Sequence, residues 1–100
     1  MDDIHKNDIG TAIQLLIQDE DGPVNLSTAL SIEIKFMKPD KTSLIVMPHF
    51  ITNGTDGRLE YITQDGDINV IGQWRMQTTI IIGPKVFHSS IDCFKVIDNL

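Results

Sequence analysis

The chain has one cysteine, Cys93, so it closes no disulfide on itself and builds no thiolate metal centre within one copy. Cys93 stands in an apolar stretch and reads as a small hydrophobe in a strand rather than a reactive thiol. Basic residues are scarce too: eight Lys and Arg stand against fourteen Asp and Glu, a net charge of −6. A surface with that excess of anions repels phosphate backbones and anionic headgroups, so neither nucleic acid nor membrane is expected as a partner. Long apolar runs are missing. The longest charge-free stretch, residues 42–55, has 14 residues and is interrupted by Pro48, His49, Asn53 and Gly54, short of the roughly 20 that a membrane helix needs. Residues 1–8 lack the basic start and apolar run of a secretory leader, so a soluble protein not exported by that route is expected. Helical periodicity is absent as well: no window of a dozen residues places apolar side chains at i, i+3, i+4 and i+7 free of Gly or Pro. The one short candidate is Leu26-Ser27-Thr28-Ala29-Leu30, a single turn.

What the chain has in place of helix is alternation. In Ser31-Ile32-Glu33-Ile34-Lys35-Phe36 apolar and polar residues exchange at every step, the mark of a strand with one face in a core and one in water. The segment from Ala12 to Gln18 alternates through Ile13, Leu15 and Ile17 and stops at the turn formers Asp19-Glu20-Asp21-Gly22-Pro23. Lys38-Pro39-Asp40-Lys41 separates the Ser31–Phe36 strand from an apolar segment ending at Met47 and predicts a hairpin, while Pro48 predicts a break before Phe50 and Ile51. Asn53-Gly54-Thr55-Asp56-Gly57 is a loop leading into a strand Arg58-Leu59-Glu60-Tyr61, and Gln64-Asp65-Gly66-Asp67 is a turn. Gly72 opens the strongest strand, with Trp74, Met76, Thr78 and Ile80 on one face and Gln73, Arg75, Gln77 and Thr79 on the other. Gly83-Pro84 closes it, and residues 85–96 read as one final strand in which Phe94 and Val96 share a face. A hundred residues with turn signals every 8 to 12 positions predict an all-β fold: one immunoglobulin-like antiparallel β-sandwich of about seven strands spanning residues 1–100. A small closed barrel is the alternative.

Candidates for chemistry are few. Asp65-Gly66-Asp67-Ile68-Asn69 opens like a calcium loop, but Val70 and Met76 stand where that loop needs Gly and Glu, so the motif fails. Asp19-Glu20-Asp21 reads as solvated turn carboxylates. His5, His49 and His88 lie in three separate segments without ligand spacing. His88-Ser89-Ser90 with Asp92 groups the residue types of a nucleophilic set, yet on an extended strand His88, Ser90 and Asp92 form only an outer stripe, with no glycine elbow or oxyanion loop beside them. Gly83-Pro84-Lys85 and Gly54-Thr55-Asp56-Gly57 are too short for a phosphate loop. Asn25-Leu26-Ser27 and Asn53-Gly54-Thr55 match glycosylation acceptors, which stay idle without secretion. Trp74 reads as core rather than as a sugar platform. No catalytic, cofactor-binding or metal-ligating residue is assigned, no cofactor is expected, the partner-binding residues stay unknown, and no enzyme is expected.

Six pieces in order carry a resemblance: Asp8-Ile9-Gly10-Thr11; Asp21-Gly22-Pro23-Val24-Asn25-Leu26-Ser27 leading to Ser31-Ile32-Glu33-Ile34; Lys38-Pro39-Asp40-Lys41; Gly54-Thr55-Asp56-Gly57-Arg58-Leu59-Glu60-Tyr61; Asp65-Gly66-Asp67-Ile68; and Gly72-Gln73-Trp74-Arg75-Met76-Gln77. Over residues 8–97 the chain resembles the immunoglobulin-like N-terminal domain of phage baseplate upper proteins and related tail modules. The resemblance implies a phage or prophage virion structural protein, made in the bacterial host cytoplasm, whose partners are other virion tail or baseplate proteins and further copies of itself in a homo-oligomer. Baseplate upper proteins continue past this domain into segments that hold receptor-binding proteins, whereas this chain stops at Leu100, so a stand-alone tail, neck or baseplate component is expected. The competing expectation is a small carbohydrate-recognition or adhesion module using acidic loops and an exposed Tyr61.

Overall fold

The computed structural model describes residues 4–89 and 91–98, and every regular element among them is a strand. In order these are β1 (Ile4–His5), β2 (Ala12–Leu16), β3 (Gln18–Asp19), β4 (Gly22–Pro23), β5 (Ser31–Met37), β6 (Ser43–Val46), β7 (His49–Phe50), β8 (Arg58–Ile62), β9 (Gly72–Ile82), β10 (Lys85–His88) and β11 (Asp92–Ile97). The larger sheet runs β1-β11-β9-β5-β6, with β10 also on β9; the smaller is β2-β8-β7, and β3-β4 is a separate hairpin. The all-β expectation holds. Eleven described strands replace the expected seven or so because Ile17 separates β3 from β2, and because short pairs such as β1 and β7 leave little trace in sequence.

β9 organises the larger sheet. Trp74, Met76, Thr78 and Ile80 are buried on one face, as the alternation requires, and the other face is polar from Gln73 to Thr79. On one side β9 pairs antiparallel with β5 from Ser31↔Ile81 to Met37↔Arg75. On the other it pairs first with β10 and then with β11. The final strand expected over residues 85–96 is therefore two. The register runs His88↔Thr79 before the break and Asp92↔Met76 after it, which puts one more residue on this side than on β9, a β-bulge. Ser89 holds the bulge: its N–H donates to the Thr78 carbonyl (2.8 Å), its Oγ accepts from the Thr78 N–H (2.9 Å), and its carbonyl accepts from Gln77 Nε2 (2.9 Å). The extra residue reverses side-chain parity, so Phe87 and Phe94 both follow inward-facing partners, Ile80 and Trp74. A second departure is β1, which pairs parallel with β11 in a sheet expected to be antiparallel throughout.

The remaining signals act locally as read. β5 and β6 form the hairpin, with Asp40 Oδ1 accepting from Thr42 N and Oγ1 in the turn. Pro48 separates β6 of the larger sheet from β7 of the smaller. Residues 26–30 make a turn closed by Ala29 N–H to the Leu26 carbonyl (3.0 Å), with no helix. At Gly57 the chain needs glycine: φ is +72°, and a Cβ there would lie 2.4 Å from the Ile17 carbonyl oxygen. That close approach lets the Ile17 N–H reach the Gly57 carbonyl (2.8 Å) and the Ile17 carbonyl accept from Val24 N–H (2.9 Å), tying the β3-β4 hairpin to the loop before β8.

The two sheets share a core. Ile34, Phe36, Trp74, Met76, Phe94 and Val96 from the larger sheet meet Ile13, Leu15 and Tyr61 from the smaller, with Ile4 and Ile68 in the same cluster. Leu59, Leu26 and Ile80 form the centre of a second cluster. Phe36 is the hub of the ring contacts, edge-on to Trp74 (6.2 Å) and Phe94 (6.0 Å). Such pairs add roughly 0.5–1.5 kcal/mol each beyond the area they bury. Trp74 is 0% exposed, its indole N–H donates to the Val70 carbonyl (2.9 Å), and Lys38 Nζ sits 5.3 Å from its ring centroid.

Candidate interaction surface

The carboxylates and histidines singled out from sequence are drawn into local structure. Asp67 accepts from the Tyr61 hydroxyl and from the Gln64 N–H (2.8 Å), and Asn69 accepts from Lys38 Nζ (2.8 Å). In the loop that opens like a calcium site, Asp67 thus closes its own turn and Asn69 holds Lys38. Burial, with the Asp67 carboxylate beside it, pushes the Tyr61 hydroxyl up to about 12. Tyr61 is half-buried against Phe36, at 6.3 Å between ring centroids, rather than exposed. His49 Nε2 lies 3.1 Å from Glu60 Oε1, and Gln14 Nε2 donates to the other oxygen (2.9 Å). The Gln14 bond first, and His49 second, hold the Glu60 carboxyl below its ordinary range.

His88 Nδ1 lies 3.2 Å from Thr79 Oγ1, so its ring is directed along the sheet. Ser89 Oγ accepts from the Thr78 backbone, and the bulge breaks the outer stripe expected through His88 and Asp92; Ser90, its middle member, lies outside the described residues. Asn25 and Asn53 each accept a backbone N–H and a hydroxyl from the residue two places on, so both glycosylation-like triplets are turns stapled by their own side chains. Cys93, read as a strand hydrophobe, is in β11 but exposed. Among the described residues no group of three or more His, Cys, Asp or Glu is placed to hold a metal ion.

The fold leaves open sheet edges and a long groove. Among the described residues β2 pairs only with β8, and β6 only with β5, so each presents there a row of unpaired backbone groups. Two adjoining hollows of about 490 and 400 Å³ follow the β2 side of the molecule. Both are bordered by Leu16 and Asp92; Ile13 and Met76 line the first, Ile80 and Phe87 the second. Exposed apolar side chains gather near the edges: Leu16 and Phe87 on the groove, Ile45 and Met47 at β6. Polar groups that hold turns, a filled aromatic core and unpaired sheet edges define a β-structured scaffold module.

The chain belongs to the BppU N-terminal domain family, whose model matches residues 4–99. That family is a structural domain of phage baseplates, which makes the chain a baseplate-related virion component. The solved N-terminal domain of phage TP901-1 ORF48 is similar to it in fold, with a TM-score of 0.64 and 15% sequence identity over 100% of this chain and 85% of that one. Among curated proteins none matches the chain.

Proposed function

We propose that this domain acts in the baseplate purely as a building block, by protein-protein docking, with neighbouring virion proteins and further copies of itself as partners and with no catalytic or cofactor-dependent step. The observation that carries this reading is the family match across residues 4–99. The free edges of β2 and β6 and the exposed Leu16, Ile45, Met47 and Phe87 support it, because paired backbone and covered apolar surface are what assembly supplies to such groups. The chain is made in the host cytoplasm and acts in the particle. Mass spectrometry of purified particles from a phage carrying the gene tests the reading: the chain is expected at a fixed copy number, and particles that assemble and infect without it sink the idea.

A further inference from the structure

The outer face of the larger sheet carries charge of the sign opposite to the rest of the molecule. Lys35 of β5 stands beside Gln77, Cys93 of β11 beside Arg75, and Lys95 of β11 beside Gln73. Lys35, Arg75 and Lys95 therefore fall on a diagonal across three adjacent strands. Each step goes one strand across and two residues along, about 8 Å between Cα atoms from the strand spacing and rise. This face thus takes three of the chain's eight cations, while Glu33 is its one carboxylate of the fourteen on the outward positions of β5, β9 and β11. None of the three cations has an ion-pair partner among the described residues. Apolar groups flank them: Ile91 (55% exposed) and Ile45 (57%) are open to solvent, and Lys35, Met37, Arg75, Gln77 and Ile91 line a depression of about 180 Å³.

A complementary surface exists on the same molecule. Asp19, Glu20 and Asp21 are consecutive and exposed at the tip of the β3-β4 hairpin, and none of them is ion-paired among the described residues. The hairpin borders the groove beside Phe87 and His88, near the Ile82 end of β9, whereas the cation diagonal spans the register of residues 73–77 on the outer face. One copy cannot bring the two together. Two copies can, head to tail, and such a contact between unlike patches propagates to a ring or filament. Net repulsion between acidic copies is screened beyond about 8 Å at physiological ionic strength, while charges in contact are not.

We propose that the outer face of the larger sheet is a docking site for a second copy of this chain, receiving its Asp19-Glu20-Asp21 hairpin on Lys35, Arg75 and Lys95. The proposal rests on the reading of the domain as an assembly module. Cys93, the chain's one cysteine, sits beside Arg75 and reports coverage of the face directly. The experiment pairs light scattering over a concentration series with the rate of maleimide labelling of Cys93. Mass is expected to rise with concentration while labelling slows several-fold. Lys35→Glu with Arg75→Glu should abolish both effects, as should Asp19→Lys with Asp21→Lys. An equimolar mixture of the two variants should associate again, because the first keeps the acidic hairpin and the second keeps the cation face that receives it. Unchanged Trp74 fluorescence shows that each variant is folded. Association that leaves Cys93 labelling at the monomer rate overturns the face and leaves the assembly reading standing. A wild-type chain that stays monomeric at every concentration overturns the second copy as occupant, and its presence in particles is decided separately by their mass spectra.

Discussion

Replacing Gly57 by alanine tests whether the joint between the β3-β4 hairpin and the loop before β8 depends on close backbone approach. Two costs add. An L-residue held at φ +72° loses about 1–2 kcal/mol to Cβ-carbonyl crowding. The new methyl would also stand 2.4 Å from the Ile17 carbonyl oxygen and 3.1 Å from that of Val24, the first about 1 Å inside ordinary contact. Relieving that overlap moves backbone that carries the Ile17–Gly57 and Val24–Ile17 hydrogen bonds, at roughly 1 kcal/mol for each bond weakened. The expected total is about 3–4 kcal/mol, a large share of the roughly 5–15 kcal/mol that holds a domain folded. Gly66→Ala supplies the control: φ there is +85°, but nothing lies within 4 Å of the new methyl, so only the conformational cost of about 1–2 kcal/mol remains. Urea unfolding followed by the fluorescence of Trp74, the chain's one tryptophan, measures both. With a slope of about 1–3 kcal/mol per molar urea, the Gly57 variant should lose roughly 0.7–2 M of midpoint beyond the Gly66 variant. Equal shifts in the two variants would refute the reasoning, since they would mean that the contact with Ile17 has no energetic weight.

Tyr61 is the chain's one tyrosine, so absorbance near 295 nm titrates it alone, and its midpoint in the folded protein should lie near 12 instead of near 10. Because the fold favours the neutral phenol, this contribution to stability is fully present below pH 10 and is lost as pH rises from 10 towards 12; a folded-state midpoint at 10 would remove the burial argument. Thr63→Val keeps shape but deletes the oxygen that accepts from the Thr11 N–H (3.0 Å), in a side chain only 1% exposed. It should cost about 1–3 kcal/mol and speed amide exchange at Thr11, which NMR detects residue by residue.

Much of this architecture is written in short-range pattern. The alternation in Ser31–Met37 and Gly72–Ile82, the Lys38–Lys41 turn and the Gly83-Pro84 turn each determine their structure from neighbours within a few residues, and each is found where the sequence puts it. What stayed hidden depends on partners far along the chain. Ile4 is one apolar residue in a polar segment, and nothing near it announces a parallel pairing with Val96. The bulge at Ser89 is set by the Thr78 backbone, although the change in parity between Phe87 and Phe94 is a trace of it in the sequence. The cation diagonal had no sequence signal because Lys35, Arg75 and Lys95 become neighbours only once the register of three strands is fixed. Tyr61 looked available as an exposed ring because the polar residues around it do not reveal that Phe36 and Asp67 enclose it.

The parallel pairing of β1 with β11 sets how the domain meets tension. The two strands run in the same direction, so pulling the segment before Ile4 against the segment after Ile97 drags one strand lengthwise past the other. Under that load the bonds between them, including Lys6 N–H to the Ile97 carbonyl (2.8 Å), share the force and must fail together. An antiparallel hairpin such as β9-β10, pulled at its open end, would peel one bond at a time. The outermost pairing of the larger sheet is thus a shear clamp, and force directed through the two ends meets the ladder in its stiffest direction.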